Sequence, residues 1–263
     1  MLSVENLEVH FTDRGAADEA VRGVSFEVAS HEILGIVGES GSGKSVTARA
    51  IIGLLRGQSA EVTGRILFDG QDLLRLDPSA MRAIQGKRIG MVFQEPKSAL
   101  NPLMKAGRQV EEALRIHTAL PKDARRQAAL EMMEAVELSD PERVYGQYPH
   151  ELSGGMRQRV MLAAAMITKP ELLLCDEPTT ALDVQTQTQI LALLQKMNRT
   201  QQMGILFISH DLQVIQSLCQ RAIVMQGGQI VEQGDVTELF TNPRTAYTQT
   251  LLNSIPGRGR RRE

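Results

Sequence analysis

An apolar run, Ile33-Leu34-Gly35-Ile36-Val37, passes directly into Gly38-Glu39-Ser40-Gly41-Ser42-Gly43-Lys44-Ser45, and a helix pattern from Val46 to Leu55 follows at once. A compact apolar run of this kind is what a parallel strand buried on both faces shows. The loop after it fits the pattern G-x-x-x-x-G-K-[ST], and its place between a strand and a helix is the context that pattern requires. Each residue type has a physical reason. Glycines let the backbone curl so that several N–H groups face one phosphate chain. The helix that follows offers orphan N–H donors and the positive end of its dipole. Lys44 is placed to reach the β- and γ-phosphates, and the Ser45 hydroxyl to bind Mg²⁺.

The rest of the chain builds on that unit. Val4, Leu7 and Val9 begin one strand, and Val24–Val28 alternates apolar and polar in another, with Asp13, Gly15 and Asp18 in a polar loop between them. Further strands are expected at Arg65–Phe68, Ile89–Phe93, Leu172–Cys175 and Ile205–Ile208. From Glu95 to Thr168 the character turns helical. Ala129, Met132, Met133 and Val136 fall on one helix face and read as core, and Ile190, Leu193, Leu194 and Met197 form the stripe of another helix. The expected fold class is α/β, a nucleotide-binding core interrupted by a helical insertion of about 70 residues.

Three strand ends carry further polar groups. Leu172–Cys175 ends in Asp176-Glu177, and in a parallel sheet strand C-termini line the ligand crevice. Asp176 is placed to hold Mg²⁺ and Glu177 to orient and deprotonate an attacking water. Ile205–Ile208 ends in Ser209-His210, so His210 can hydrogen-bond a γ-phosphate and sense its loss. Gln94, after Ile89–Phe93, can touch both Mg²⁺ and the water. Leu152-Ser153-Gly154-Gly155-Met156 opens a helix with Ser153 as N-cap, a second phosphate-binding helix end. The phosphates on Lys44 are already enclosed, so a dimer in which each chain lends this end to its partner is the economical solution.

These residues resemble the ATP-binding-cassette ATPase family. Gly38–Ser45 is similar to its Walker A, Leu172–Glu177 to its Walker B with the catalytic glutamate, and Leu152–Met156 to its signature, with Met156 where Gln is commoner. Gln94 matches its Q-loop, Ala181-Leu182-Asp183 its D-loop and His210 its switch histidine. Phe11 falls where the family places an aromatic on adenine, usually Tyr. The resemblance implies a P-loop NTPase (RecA-like) core with an antiparallel β subdomain over residues 1–94 and 170–235. A helical subdomain would occupy 95–169 and a C-terminal tail 236–263. It implies ATP contacts from Phe11, Gly38, Ser40, Gly41, Gly43, Lys44, Ser45 and Val46. Mg²⁺ contacts would come from Ser45, Gln94 and Asp176, and contacts to the partner's ATP from Ser153, Gly154, Gly155 and Met156. It also implies a head-to-tail dimer with two ATPs between the chains, Gln94 as hinge, and docking of the insertion on a membrane subunit.

Phe93–Met104 and Tyr247–Pro256 resemble more narrowly the importers of peptides and nickel. That likeness implies a second, similar but non-identical ATPase chain, two integral membrane permease subunits and an extracytoplasmic substrate-binding protein. The cargo is expected to be nickel, a metal chelate, or a di- or oligopeptide. The chain stops soon after Pro256 with no cysteine beyond Cys219, a short form that resembles the nickel and metallophore branch. The other reading is a soluble cassette ATPase of DNA repair or translation. It sits poorly with one cassette, no sustained heptads and two lone cysteines, Cys175 and Cys219.

Bulk properties agree with a motor that works through partners. A net charge of −2 on 263 residues supplies no basic field for nucleic acid. No uncharged apolar run reaches the roughly 20 residues needed to span a bilayer, and no signal-peptide pattern opens the chain. The expected location is the cytoplasmic face of the cell membrane. Arg258, Arg260, Arg261 and Arg262 read as a solvated end.

Overall fold

The structure, a computed structural model, describes residues 1–12, 18–180 and 182–255, without the side chain of Asp18. The loop around Asp13 and Gly15, Ala181 of the Ala181–Asp183 stretch, Pro256 and the four arginines after it lie outside the described residues. The described strands, in chain order, are β1 (Leu2–Phe11), β2 (Asp18–Val28), β3 (Ile33–Val37), β4 (Ala60–Phe68) and β5 (Gln71–Asp72). They continue with β6 (Ile89–Val92), β7 (Leu172–Asp176), β8 (Gly204–Ser209), β9 (Arg221–Gln226) and β10 (Gln229–Asp235). Two compact units divide them, Met1–Met81 with Gly204–Glu263, and Arg82–Met203.

In the first unit an antiparallel sheet has the order β2-β1-β4-β5. Its buried positions change phase along β1. Leu2 and Val4 are buried, and then Leu7 and Val9 are. A strict two-residue period would expose the second pair. The register shifts between Val4 and Leu7, with Asn6 at φ 46°, so a bulge inserts the odd residue and keeps both halves facing the core. The partner β4 is longer than the expected Arg65–Phe68 because Gly64 interrupts its alternation beside that bulge.

β3 lies between β8 and β9, parallel to both, and β10 is antiparallel to β9. Every residue of β3 and β8 is buried, which is why neither alternates in sequence. The helix after β3 runs Lys44–Ile51, not to Leu55. Gly53, at φ 72°, ends it: its N–H donates to Ala50 O at 3.0 Å, and that of Leu54 to Arg49 O at 2.9 Å, a Schellman stop. The β9–β10 hairpin was not expected from the sequence. Its two-residue turn, Gly227-Gly228, has both φ positive, as a type I′ turn requires.

Two helices, Val236–Thr241 and Ala246–Asn253, close this unit in the region expected as a tail. Glu232 of β10 fixes the second. It accepts from Arg244 N–H at 2.8 Å, Thr245 N–H at 3.1 Å and Thr245 Oγ1 at 3.0 Å. Burial pushes the Glu232 carboxyl up, but the hydrogen bonds from Thr248, Arg244 and Thr245 outweigh it and hold it below the usual glutamate value.

In the second unit β6 and β7 are parallel, with Ile89 opposite Leu172 and Val92 opposite Cys175. Arg88 clamps their base by a bidentate pair to Glu171 at 2.6 and 2.8 Å. Parallel neighbours need a long crossover. Here it is a run of helices, of which Lys122–Ala135 and Gly154–Met166 are the longest. The expected stripe of Ala129, Met132 and Met133, with Val136 after it, is buried. A fully buried side chain of this size contributes about 1.5–3 kcal/mol. No described helix is long and apolar enough to cross a membrane.

Candidate functional site

The phosphate loop of the first unit is shaped by glycines with no substitute. Gly43, the N-cap of the helix Lys44–Ile51, sits at φ 98°, and an added Cβ would lie 2.5 Å from Ala20 O. At Gly38 a Cβ would lie 2.2 Å from Met225 O. The loop is therefore wedged between β2 and the β9–β10 hairpin, whose Gly228 N–H donates to Ser42 O at 3.2 Å. The first turn of the helix holds no acidic residue, so its positive end is not neutralised locally. Lys44 is 4% exposed. Its Nζ donates to Gly38 O at 2.8 Å, Glu39 O at 2.7 Å and Ser42 Oγ at 3.3 Å. Ser40 and Gly41 are exposed and Ser45 and Val46 half-buried.

Register brings His210 to the same edge. Val37 of β3 lies opposite Ser209 of β8 in a parallel pair, so Gly38 and His210 leave neighbouring strand ends at one level. Neighbouring strands are about 4.8 Å apart. The His210 side chain is exposed. Ser209 Oγ accepts from Asp211 N–H at 2.9 Å, and Asp211 in turn caps the helix Leu212–Leu218, which fixes the turn that carries the histidine. Phe11 ends β1 half-buried, so it is not a core residue.

The second unit gathers the other predicted residues. Val92 pairs with Cys175, and two positions past each lie Gln94 and Glu177. Gln94 Nε2 donates to Glu177 Oε2 at 3.1 Å, and Thr180 Oγ1 donates to the same oxygen at 2.9 Å. Glu177 itself sits at φ 47°, a left-handed conformation that costs a non-glycine residue about 1–3 kcal/mol and marks functional sites. Asp176, the last residue of β7, is 1% exposed. Sequence reasoning does not find Thr180, because nothing in its spacing sets it apart from other Thr-rich turns.

Ser153 is the N-cap of the helix Gly154–Met166, and its Oγ accepts from Met156 N–H at 3.2 Å. Gly154 is exposed and Gly155 and Met156 half-buried. That first turn is also free of acidic residues, the electrostatics of an anion-binding end. Close by, a Cβ at Gly155 would meet Thr186 Cγ2 at 3.0 Å. Asp183 caps the helix Val184–Gln201, accepting from Thr186 N–H at 2.9 Å and Thr186 Oγ1 at 2.7 Å. Those Thr186 bonds hold the Asp183 carboxyl below its ordinary value.

Comparison with known proteins gives a consistent picture. The ABC transporter family profile matches residues 21–180. Over 264 aligned residues the chain is 49% identical to the "Probable peptide ABC transporter ATP-binding protein y4tR" of Sinorhizobium fredii, covering all of this chain and 79% of that one. It is 48% identical to the dipeptide transport ATP-binding protein DppD of Bacillus subtilis, over 97% of this chain and 77% of that one. Among solved structures it is similar to the ATP-binding cassette MJ0796, a dimer in a post-hydrolysis state bound to ADP and Pi. That likeness has a TM-score of 0.80 at 31% identity, over 90% of this chain and 99% of the other.

Proposed function

Since the chain belongs to the ABC transporter family, we propose that it is the ATP-hydrolysing subunit of an importer for di- or oligopeptides. Hydrolysis is the family's activity. The peptide cargo rests on the relatives, whose names specify peptide and dipeptide transport; none of those names specifies nickel or a metal chelate. The observation that carries turnover, beyond binding, is Glu177: a strained carboxylate at the end of β7 whose Oε2 takes hydrogen bonds from Gln94 and Thr180.

In this reading the phosphate chain of ATP lies over the loop Gly38–Ser45. Contacts come from backbone groups of Gly38, Ser40, Gly41, Gly43, Lys44, Ser45 and Val46. The Lys44 ammonium exchanges loop carbonyls for phosphate oxygens, and Phe11 stacks on the adenine. Glu177 takes the proton of the attacking water, and Gln94 and Thr180 hold that carboxylate in one rotamer. His210 donates to the γ-phosphate. Ser45, Gln94 and Asp176 would hold Mg²⁺. They offer oxygen donors of the type a hard cation takes, and Gln94 keeps its carbonyl oxygen for that purpose because its amide is turned to Glu177. When bound, Mg²⁺ supplies charge neutralisation on the phosphate oxygens.

This chain contributes Ser153, Gly154, Gly155 and Met156 to the nucleotide of a second ATPase chain, and Asp183 lies at the same seam. The helical segment 95–169 docks on one of two permease subunits at the cytoplasmic face of the membrane. Leu103, 87% exposed, and Ile116, 64% exposed, are the most exposed of the large apolar residues it offers, with Leu120 after them. A binding protein outside the membrane supplies the cargo.

Uptake of a labelled dipeptide, a tripeptide and nickel, in cells carrying the wild-type chain or Glu177→Gln, tests the assignment. Loss of peptide uptake alone supports it, and loss of nickel uptake alone replaces the cargo. Purified Glu177→Gln is expected to bind ATP normally and to hydrolyse it about 10²- to 10⁴-fold more slowly. Ser153→Ala, mixed with wild-type chain, is expected to impair the site of its partner and spare its own. A variant that impairs only its own site would refute the exchange of helix ends.

A further inference from the structure

The structure assigns a role to Tyr247, which the mechanism above does not use. We propose that Tyr247 is a positioning residue for the phosphate loop, holding from outside the peptide unit whose inner face Lys44 holds. This rests on the ATPase reading and adds a determinant of ATP affinity to it.

The geometry concerns one amide. The carbonyl of Gly38 and the N–H of Glu39 belong to the same peptide unit, at the point where β3 becomes the loop. Lys44 Nζ donates to Gly38 O at 2.8 Å. On the other side, Glu39 N–H donates to Tyr247 Oη at 3.3 Å. A trans amide is planar, and its oxygen and hydrogen point in opposite directions, so the two contacts grip it across its plane. When Lys44 turns to phosphate oxygens, Gly38 O loses its inner partner. The outer contact then remains to stop the amide from rotating and misaligning the N–H groups that follow. Phosphate binding depends on those N–H groups converging.

The hydroxyl is itself fixed. Tyr247 lies on the helix Ala246–Asn253, two residues from Thr245, which the Glu232 clamp holds. Thr248, 2% exposed, bonds Thr245 through paired hydroxyls 2.8 Å apart. Burial raises the Tyr247 hydroxyl above its ordinary value, more than the Glu39 N–H lowers it. It therefore stays protonated at neutral pH, as a neutral acceptor. The ring alone, without the oxygen, would keep the helix packed but leave Glu39 N–H unheld. Tyr247→Phe thus separates positioning from packing.

The test uses the full chain. Steady-state ATP hydrolysis, binding of Mg·ATP by calorimetry, and hydrogen exchange of the Glu39 amide are compared in wild type, Tyr247→Phe and Thr248→Val. Loss of one neutral hydrogen bond corresponds to about two- to tenfold in affinity. Tyr247→Phe should raise KM and Kd for ATP by that factor and change kcat by less than about twofold. The Glu39 amide should exchange faster, while the melting temperature holds. Thr248→Val, which loosens the first turn of the helix at its Thr245 cap, should reproduce the KM effect. Unchanged KM and unchanged Glu39 exchange in Tyr247→Phe, in a chain that hydrolyses ATP, would overturn the positioning role alone. A fall in kcat at constant KM would overturn it too. A wild-type chain that binds no ATP would overturn the ATPase reading and this inference together.

Discussion

Gly43 combines two constraints that are separable in principle. Its φ of 98° is closed to residues with a side chain, and the space a Cβ needs is already taken by Ala20 O at 2.5 Å. Gly43→Ala should therefore cost about 1–2 kcal/mol for the backbone conformation alone, and more for the displaced strand. It should abolish ATP binding, measured by calorimetry at a temperature where the variant is still folded. Binding at wild-type affinity would mean that the loop accommodates the methyl. Asp176, Glu177 and His210 stand out in the sequence because each lies within two residues of an apolar run, and Lys44 because a glycine-rich loop joins such a run to it. Thr180 and Tyr247 do not. Their partners, Glu177 and Glu39, are chosen by the folded backbone, and in the Tyr247 case across 208 positions of chain.

At the scale of elements, the helix Ala246–Asn253 depends on one carboxylate. Glu232 has its folded value depressed, so it adds stability at pH above its unfolded value. That contribution is lost as pH falls through the folded value, below the ordinary glutamate range. Glu232→Gln should lower stability at neutral pH by on the order of 1 kcal/mol. It should also flatten the acid limb of the urea-denaturation midpoint plotted against pH. An unchanged limb would place that titration elsewhere. The elements legible in the sequence were β3, β7 and β8, each as a continuous apolar run, and the methionine-bearing helix around Met133 by its periodicity. Those missed or mis-sized have local causes. Gly64 breaks the pattern of β4 at a bulge, and Gly53 stops a helix whose apolar residues run on to Leu55. β9–β10 carries its signal in Gly227-Gly228, just past an apolar run.

Across the whole molecule, two buried cysteines outside any disulfide, Cys175 and Cys219, report on folding. Cys175 is fully buried in β7, and burial pushes the Cys219 thiol well above its ordinary value, with Glu32 adding to it. At about pH 8.5, where an exposed cysteine is half thiolate, both should react with a thiol reagent only as fast as the chain opens. Fast reaction of one equivalent in the native protein would contradict the burial of that residue. The first unit also has an unusual order of assembly. β3 bears the phosphate loop, yet its neighbours β8 and β9 lie far along the chain, and Ile33 N–H waits for the Gln220 side chain 187 positions later. During synthesis the loop emerges early, and for most of translation it has neither its flanking strands nor the hairpin and tyrosine that brace it. The ribosome therefore releases the nucleotide motif long before the nucleotide site exists. A nascent chain halted anywhere before Tyr247 should carry the motif without the finished cradle.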